Sequence, residues 1–325
     1  MSILSALYGS VVGARNAAYD KGWLVQKRLQ GPIISIGNLS VGGTGKTPFT
    51  MLLGELLKER RIQFSILSRG YGRKTRGVAL VDPDGSPNDF GDEPLLIARR
   101  LNVPVIIGES RYQAGVFAEK KYGPHLHLLD DGFQHRALAR DFDIVLLSPS
   151  DLRDHLLPSG RLREPLSSLR RADAIVVGDQ VNEIPNVKSQ SLWKLHRGIS
   201  LANPPQYPAV FCGIARPERF VTDLKQSGVV PVAQHFFRDH HSYSATDVDH
   251  LLTLKQSSGA TGFITTEKDA IKLGRHRFLL EPLCVVTVAM SLENPSEFMT
   301  AMLASIEIRK PIPAAHSAAR GPAPA

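Results

Sequence analysis

The residues Gly42-Gly43-Thr44-Gly45-Lys46-Thr47 stand directly after an apolar run, Ile33-Ile34-Ser35-Ile36, and open a helical pattern from Lys46 to Arg61. A glycine loop between a strand and a helix, closed by Lys-Thr, is the arrangement of a phosphate cradle. Glycines let successive backbone N–H groups turn toward phosphate oxygens. The helix N-terminus adds the positive end of its dipole. Lys46 would reach the β- and γ-phosphates and Thr47 would carry Mg²⁺. Pro48 suits a first helical turn. A chance glycine loop is the competing explanation, and the strand–loop–helix context counts against it. The general pattern has a glycine where this chain has Ser40. Partition-type ATPases with a similar loop place a lysine before the glycine pair, where this chain has Val41.

Leu126-His127-Leu128-Leu129-Asp130-Asp131-Gly132 is an apolar strand ending in two acids. Strands often end in Asp-Gly turns, but beside a phosphate cradle such a tip supplies the Mg²⁺ side of the site. Gly91-Asp92-Glu93-Pro94 reads equally well as a capped helix start, and its spacing does not show that Asp92 is a base. Arg69, Arg73 and Arg76 surround Gly70-Tyr71-Gly72, and Arg161 and Arg163 precede Glu164-Pro165. Arginine forks fit phosphate, although a single arginine is more often solvated surface. Adjacent His240 and His241 suggest zinc at first sight. No second His or Cys pair has suitable spacing, and a hydrogen bond to a carboxylate is the better chemistry.

These residues need a scaffold of buried strands. Phe64 to Leu67, Val78 to Val81, Val103 to Ile107, Leu126 to Leu129, Ile144 to Leu147 and Ala174 to Val177 read as short apolar strands, with helices at Glu93 to Leu101 and Arg111 to Lys121 between them. That alternation predicts an α/β fold with a mostly parallel sheet. Asn and Pro punctuate the stretch from Gln180 to Pro208, with a possible strand at Ser191 to Arg197. A second α/β unit follows: helices at Pro217 to Gln226, Ala245 to Lys255 and Pro295 to Ile306, strands at Val229 to Ala233, Gly262 to Thr265 and Val285 to Val288. The Pro- and Ala-rich tail reads as disordered.

The 325 residues carry 39 Lys+Arg against 31 Asp+Glu, a net charge of +8. Hydrophobic content of 42% excludes a disordered chain, and two cysteines exclude a disulfide scaffold. The positive balance fits an anionic partner. From Ser2 to Ala14 no residue is charged, and Ile3, Leu4, Leu7, Tyr8, Val11 and Val12 recur at helical spacing. Arg15, Lys21, Lys27 and Arg28 follow this run, the reverse of a signal peptide. The run is too short to cross a bilayer. It is either a helix docked on its own domain or an interfacial helix near anionic headgroups.

Taken together the motifs resemble one family. They are Asn38 with Gly42 to Pro48, Ser68-Arg69-Gly70-Tyr71-Gly72-Arg73, Gly91 to Pro94, Asp130-Asp131-Gly132-Phe133-Gln134-His135 and Pro158 to Pro165. Gly213-Ile214-Ala215, Asp239-His240 and Thr266-Glu267-Lys268-Asp269 complete the set. In order and spacing this chain is similar to the tetraacyldisaccharide 4′-kinases, the lipid A kinases of Gram-negative bacteria, from the first helix to about residue 306. The resemblance implies a P-loop NTPase-like, mostly parallel sheet domain and a smaller α/β domain joined by a two-stranded linker. The expected boundaries are a membrane-associating amphipathic region at 1–30, the kinase domain at 31–182, a linker at 183–208, the smaller domain at 209–308 and a tail at 309–325. It implies ATP and Mg²⁺ as cofactors. The expected reaction moves the γ-phosphate of ATP to the 4′-hydroxyl of an acylated glucosamine disaccharide 1-phosphate, giving lipid IVA in lipid A biosynthesis. The expected setting is the cytoplasmic face of the inner membrane, peripheral through the N-terminal helix and against its anionic surface, as a monomer without nucleic acid.

By motif, the resemblance makes Asp92 the base, His240 its dyad partner and Lys46 catalytic. Gly42, Gly43, Thr44, Gly45, Lys46, Thr47 and Pro48 would bind nucleotide. Thr47, Asp131, Asp130 and Glu93 would stand on the metal side. Ser68, Arg69, Tyr71, Arg111, Gln134, His135, Arg163 and Glu164 would face substrate. His240 is preferred to His241 for its adjacency to Asp239. Two other readings stay open: a nucleotide-switch ATPase at membranes, and a kinase of a soluble sugar or nucleoside.

Overall fold

Apolar runs without polar interruption have to be covered on both faces. Ile33, Ile34 and Ile36 are no more than 1% exposed, and Leu128, Leu129, Ile144 and Val145 are fully buried. The computed structural model describes residues 2–184 and 192–309. After α1 (Ile3–Asp20) the first unit runs β1 (Ile33–Asn38), α2 (Lys46–Glu59), β2 (Phe64–Ser68), β3 (Ala79–Leu80), α3 (Pro87–Phe90), α4 (Asp92–Leu101), β4 (Val105–Ile107), α5 (Arg111–Tyr122), β5 (Leu126–Asp130), β6 (Phe142–Leu147) and β7 (Ala174–Gly178). Then come β8 (Leu192–Ser200), β9 (Pro208–Cys212), α6 (Pro217–Gln226), β10 (Ala233–Phe236), α7 (Ala245–Ser258), β11 (Gly262–Thr266), α8 (Glu267–Leu273), β12 (Leu283–Leu292) and α9 (Pro295–Arg309). The tail expected from 309, and residues 185–191 of the expected linker, lie outside the described residues apart from Arg309.

The described strands form one sheet in the order β10-β9-β11-β12-β8-β7-β6-β1-β5-β2-β4-β3. Only β12 with β8 and β3 with β4 pair antiparallel. On one face Ile34, Ile36 and Leu128 pack with Phe49, Leu53 and Leu57 of α2 and Leu95 and Leu101 of α4. On the other, Ile33, Leu67, Ile106 and Leu129 pack with Leu29 and with Ala114 and Ala118 of α5. The second unit has its own two cores. Val210, Cys212, Ile264 and Val286 meet α6, and Ala209, Phe211 and Phe263 meet α7.

Three expectations change. The strand expected at Val229 to Ala233 begins only at Ala233, because Pro231 has no N–H to give to a ladder. The strand expected at Val285 to Val288 runs from Leu283 to Leu292. Its first half pairs with β11 and its second half with β8. The last helix, placed by sequence in the second unit, packs on the first. Phe298, Met299, Met302 and Ile306 are buried in the core beneath α2, α4 and the central strands. Phe298 meets Phe49 and Trp193 edge-on at centroid distances of 6.4 and 5.1 Å.

The first helix also differs from a plain apolar-face dock. Its buried residues are Ser5 and Asn16. Ser5 Oγ donates to Leu156 O (3.0 Å), Tyr8 O–H to Arg163 O (3.0 Å), and Asn16 Nδ2 to Glu164 Oε2 (2.8 Å). Asp20 accepts from Arg136 and Arg170. Ile3 is 89% exposed, Leu4 63%, Leu7 62% and Val11 61%. Tyr8 and Val12, expected on the same face, turn partly toward the domain.

Phe298→Ala should cost about 3–5 kcal/mol of stability, as for other large aromatic truncations in a close-packed core. Denaturant unfolding of the full chain, followed through the fluorescence of Trp193, would measure it. A cost below 1 kcal/mol would remove α9 from that core.

Candidate active site

The glycine loop folds as a cradle because two of its residues take backbone that only glycine holds easily. Gly42 has φ 102° and Gly45, the N-cap of α2, has φ 89°. From the end of β1, Asn38 Nδ2 donates to Ser40 O and to Thr44 Oγ1, both at 2.8 Å. Lys46 Nζ donates to Asn38 Oδ1 (3.2 Å) and stands 3.6 Å from Asp131. Arg163 forks onto Asp131 at 3.1 and 2.9 Å and also donates to Asn38 Oδ1. Asn38 thus ties the loop to both cations.

The two acids at the end of β5 divide their roles. Asp131 has φ 50°, which turns its carboxylate out of the strand line and leaves it 40% exposed. Burial works against its charge, but Lys46 and Arg163 outweigh burial and hold the carboxyl at about 2. Asp130 points inward and is 3% exposed. Thr50 and Ser68 hydroxyls donate to it at 3.3 Å. Burial pushes its pKa up, and the charges of Glu93 and Asp131 add to the rise.

Gly91 rather than Asp92 is the N-cap of α4. Gly91 has φ 87°, and a Cβ there would sit 2.8 Å from Tyr71 O. This shifts Asp92 into the first turn, where Oδ1 accepts the Glu93 N–H (3.0 Å) and Oδ2 accepts from His240 Nδ1 (3.1 Å). The second bond crosses from one unit to the other. Burial opposes ionisation of Asp92, yet the bond from His240 and the charge of Lys268 leave its pKa below the ordinary value. The same bond raises His240 above its ordinary value against burial. His240 rests near Tyr71, with ring centroids 5.3 Å apart. His241 is turned away: it stacks on Phe237 and bonds Asp247 at 3.1 Å.

A cleft of about 860 Å³ runs between the units. Gly42 to Pro48, Ser68, Arg69, Tyr71, Glu93, Arg111, Asp130, Asp131, Gln134, His135, Arg163 and His240 all line it. Asp92 lies just behind its wall, covered by His240. Glu164 is not brought into the cleft. It is 2% exposed and holds Asn16 and Arg171, so it anchors α1. Arg111 is buried with its Nε unpartnered among the described residues. Burial, aided by the charges of Arg111 and Arg140, lowers His135 to about 4 and keeps it neutral at pH 7. On the far side of the loop the cleft is apolar, walled by Leu147, Val176, Ile199, Val286, Val288 and Met290.

The sequence by itself gives Lys268 no role. It reaches from α8 to ion-pair with Glu93, a second bond between the units. Beside it Asp269, fully buried, accepts from Gly213 N–H (3.1 Å), Tyr243 O–H (3.0 Å) and Thr266 Oγ1 (2.6 Å). The motif Thr266-Glu267-Lys268-Asp269 was the available signal, since a strand end so dense in charge needs partners.

The oxygen-only set of Thr47, Asp130, Asp131 and Glu93 suits Mg²⁺, which prefers few protein carboxylates together with phosphate and water. All four line the same cleft, and Asp131 is accessible. Among the described residues no cluster of three or more acids, histidines or cysteines could hold a metal unaided.

The family model described as tetraacyldisaccharide-1-P 4′-kinase matches residues 1–307. The tetraacyldisaccharide 4′-kinase of Koribacter versatilis is 50% identical over 321 residues, covering 95% of this chain and 100% of that one. The tetraacyldisaccharide 4′-kinase of Aquifex aeolicus is 40% identical over 287 residues, covering 83% and 88%. A crystal structure of "apo" form LpxK from Aquifex aeolicus in complex with ATP superposes with a TM-score of 0.79 at 36% identity, covering 93% of this chain and 97% of that one.

The Asp92–His240 bond sets a pH signature. Because the pKa of His240 is raised, its contribution to holding the units together is full below the ordinary value of 6.5 and fades as pH rises through the raised value. Because the pKa of Asp92 is lowered, its contribution is full above the ordinary value of 3.8 and is lost as pH falls from there through the lowered value. NMR titration of His240 should give a pKa above 6.5 that drops in Asp92→Asn. An unchanged value in the variant would show that the bond does not form in solution.

Proposed function

The chain belongs to the tetraacyldisaccharide-1-phosphate 4′-kinase family, and from that premise we propose that it transfers the γ-phosphate of ATP to the 4′-hydroxyl of tetraacyldisaccharide 1-phosphate, forming lipid IVA in lipid A biosynthesis. One observation carries the reading: the ionised Asp92 is bonded to His240 across a cleft whose floor is the phosphate cradle. A nucleotide switch needs no such acid–histidine pair reaching from a second unit. A kinase needs a group that takes the hydroxyl proton.

In this mechanism the loop N–H groups and Lys46 hold the β- and γ-phosphates. Arg163 and Asn38 keep Lys46 and Asp131 in place before nucleotide arrives. Thr47 and Asp131, with Asp130 and Glu93 near, would hold Mg²⁺, which would offset the charge of the phosphates. The acceptor hydroxyl gives its proton to the Asp92 carboxylate as its oxygen bonds to the γ-phosphorus and ADP departs. Before transfer, the Nδ1–H of His240 donates to Asp92, which keeps the carboxylate ionised and oriented. Because the pair spans both units, closure of the cleft would complete the site. Arg69 and Arg111, with Ser68, Tyr71, Gln134 and neutral His135, would receive the phosphorylated sugar. The apolar wall of Leu147, Val176 and Val286 would take the adenine.

The outward apolar face of α1 supports a peripheral station on the anionic, cytoplasmic face of the inner membrane. No described helix is long and apolar enough to cross a membrane. Trp23 and Val25, 72% and 81% exposed, continue the apolar face, and Lys21 Nζ lies 4.7 Å from the Trp23 ring. Apolar side chains backed by lysine and arginine fit an interfacial helix over anionic headgroups.

With labelled ATP, Mg²⁺ and tetraacyldisaccharide 1-phosphate, the product should carry label at the 4′-position. Asp92→Asn should lower kcat by about 100-fold or more while leaving ATP affinity within a few-fold; equal loss of both would make Asp92 structural. Leu7→Asp with Val11→Asp should weaken binding to phosphatidylglycerol vesicles at least tenfold without lowering the melting temperature, since both side chains face solvent. Unchanged vesicle binding would exclude α1 as the anchor.

A further inference from the structure

Gly213-Ile214-Ala215 has no part in the mechanism above, yet the structure pins this loop closely. A Cβ on Gly213 would sit 2.9 Å from Arg238 O and 3.1 Å from His241 Cβ. Its N–H donates to buried Asp269 (3.1 Å) and its carbonyl accepts from Lys272 (3.2 Å). The chain then enters α6, whose Phe220, Val221 and Leu224 are packed on β9 and β11. Between these fixed points stands Arg216, the N-cap residue, with its side chain in the wall of the cleft.

Arg216 is an unanswered cation. Its Nη2 is buried without a hydrogen-bond partner, and it makes no hydrogen bond or ion pair among the described residues. Near enough for its charge to be felt is Arg161, whose carbonyl accepts the N–H of Val41 in the glycine loop (2.8 Å). The Arg161 guanidinium is answered by Asp154 (2.9 Å). Burial, and then the charge of Arg161, press the pKa of Arg216 down, while Asp151 and Asp154 pull the other way from beyond ion-pair distance. The residue as a whole is half-buried, and a guanidinium nitrogen shut away from both water and a partner is costly unless a ligand completes it. Phosphate oxygens match a guanidinium fork.

Position in the sheet selects the phosphate. Arg69 and Arg111 follow β2 and β4, which lie beyond β5 on one side of β1. Arg161 follows β6, which lies on the other side, and the second unit that carries Arg216 is reached through β7, β8 and β12. Within the second unit, His240 and Lys268 reach Asp92 and Glu93, whereas Arg216 stands near enough to Arg161, which holds the glycine loop at Val41, to feel its charge; Arg216 therefore faces the cradle from the side away from the acceptor pocket. We propose that Arg216 is a phosphate-binding residue that the second unit supplies to the polyphosphate of the nucleotide held on the glycine loop. The proposal rests on the kinase reading above, and it gives the second unit a hold on the nucleotide as well as a histidine.

The test uses the full chain and two variants, Arg216→Ala and Arg216→Lys. Loss of a charge-assisted bond to phosphate should lower kcat/KM for ATP by roughly tenfold to a hundredfold, with the KM for tetraacyldisaccharide 1-phosphate unchanged. Arg216→Lys should recover part of the loss, since it keeps the charge but not the fork. The nucleotide-free melting temperature of Arg216→Ala should stay level or rise, because an unpaired charge is removed. The rise in melting temperature that ATP produces should shrink. Unchanged kcat/KM and an unchanged ATP increment would overturn the proposal. So would a raised acceptor KM with an intact ATP increment, or a fall of several degrees without nucleotide. If the unmodified chain shows no ATP increment and no transfer, the kinase reading itself fails, which is a different result from any of these.

Discussion

One strand makes the two halves of this protein a single body. Leu283 to Val286 of β12 pair parallel with β11, and Thr287 to Leu292 pair antiparallel with β8. A β-ladder is stiff against sliding, because a one-residue slip would reverse every side chain. The second unit therefore hangs from the first through a short two-stranded ribbon, and the chain must return to the first unit afterwards. It does so as α9, which seals the core beneath α2. On this frame His240 can meet a carboxylate 148 positions away in sequence. The ribbon fixes translation while leaving a twist or bend available, which is the freedom that a closing cleft requires.

Charge arrangement in the cleft follows from the same frame. Its acids are not clustered to wait for a metal alone. Asp131 is held by Lys46 and Arg163, and Glu93 by Lys268. These pairs keep the walls ordered without nucleotide. In the proposed kinase, a triphosphate with its divalent ion would bring both signs at once, and the cations would pass to the phosphates and the carboxylates to the metal. Mutual compensation of this kind avoids leaving either sign uncovered in a partly dry cleft.

The first helix inverts the usual amphipathic arrangement. Its polar residues face the protein and its aliphatic residues face out. Serine, asparagine and tyrosine suit that inner face because each bond has a named acceptor: Leu156 O, Glu164 and Arg163 O. Glu164 and Arg163 are adjacent, and Arg163 grips Asp131. The outward aliphatic face of α1 is thus linked, through Tyr8 and then Arg163, to the acid that faces the phosphate cradle.

Much of this was legible in the chain alone. The phosphate cradle is local: glycines, lysine and threonine lie within six positions, and their backbone geometry follows from residue type. Buried strands announce themselves by unbroken apolar runs, so the α/β class and the first unit's elements, apart from the short α3, emerge with ends shifted by one or two residues. What stayed hidden depends on distant neighbours. Composition does not say that α9 returns to the first core, because its apolar face would suit either unit. Spacing does not separate Glu164 as an anchor from Arg163 as a site residue, since only packing decides which of two adjacent side chains turns inward. Residue types alone do not choose His240 over His241, nor do they give Lys268 its partner or leave Arg216 without one. Those outcomes are pairings across the cleft, and pairings exist only once the sheet has brought both walls to hydrogen-bond distance.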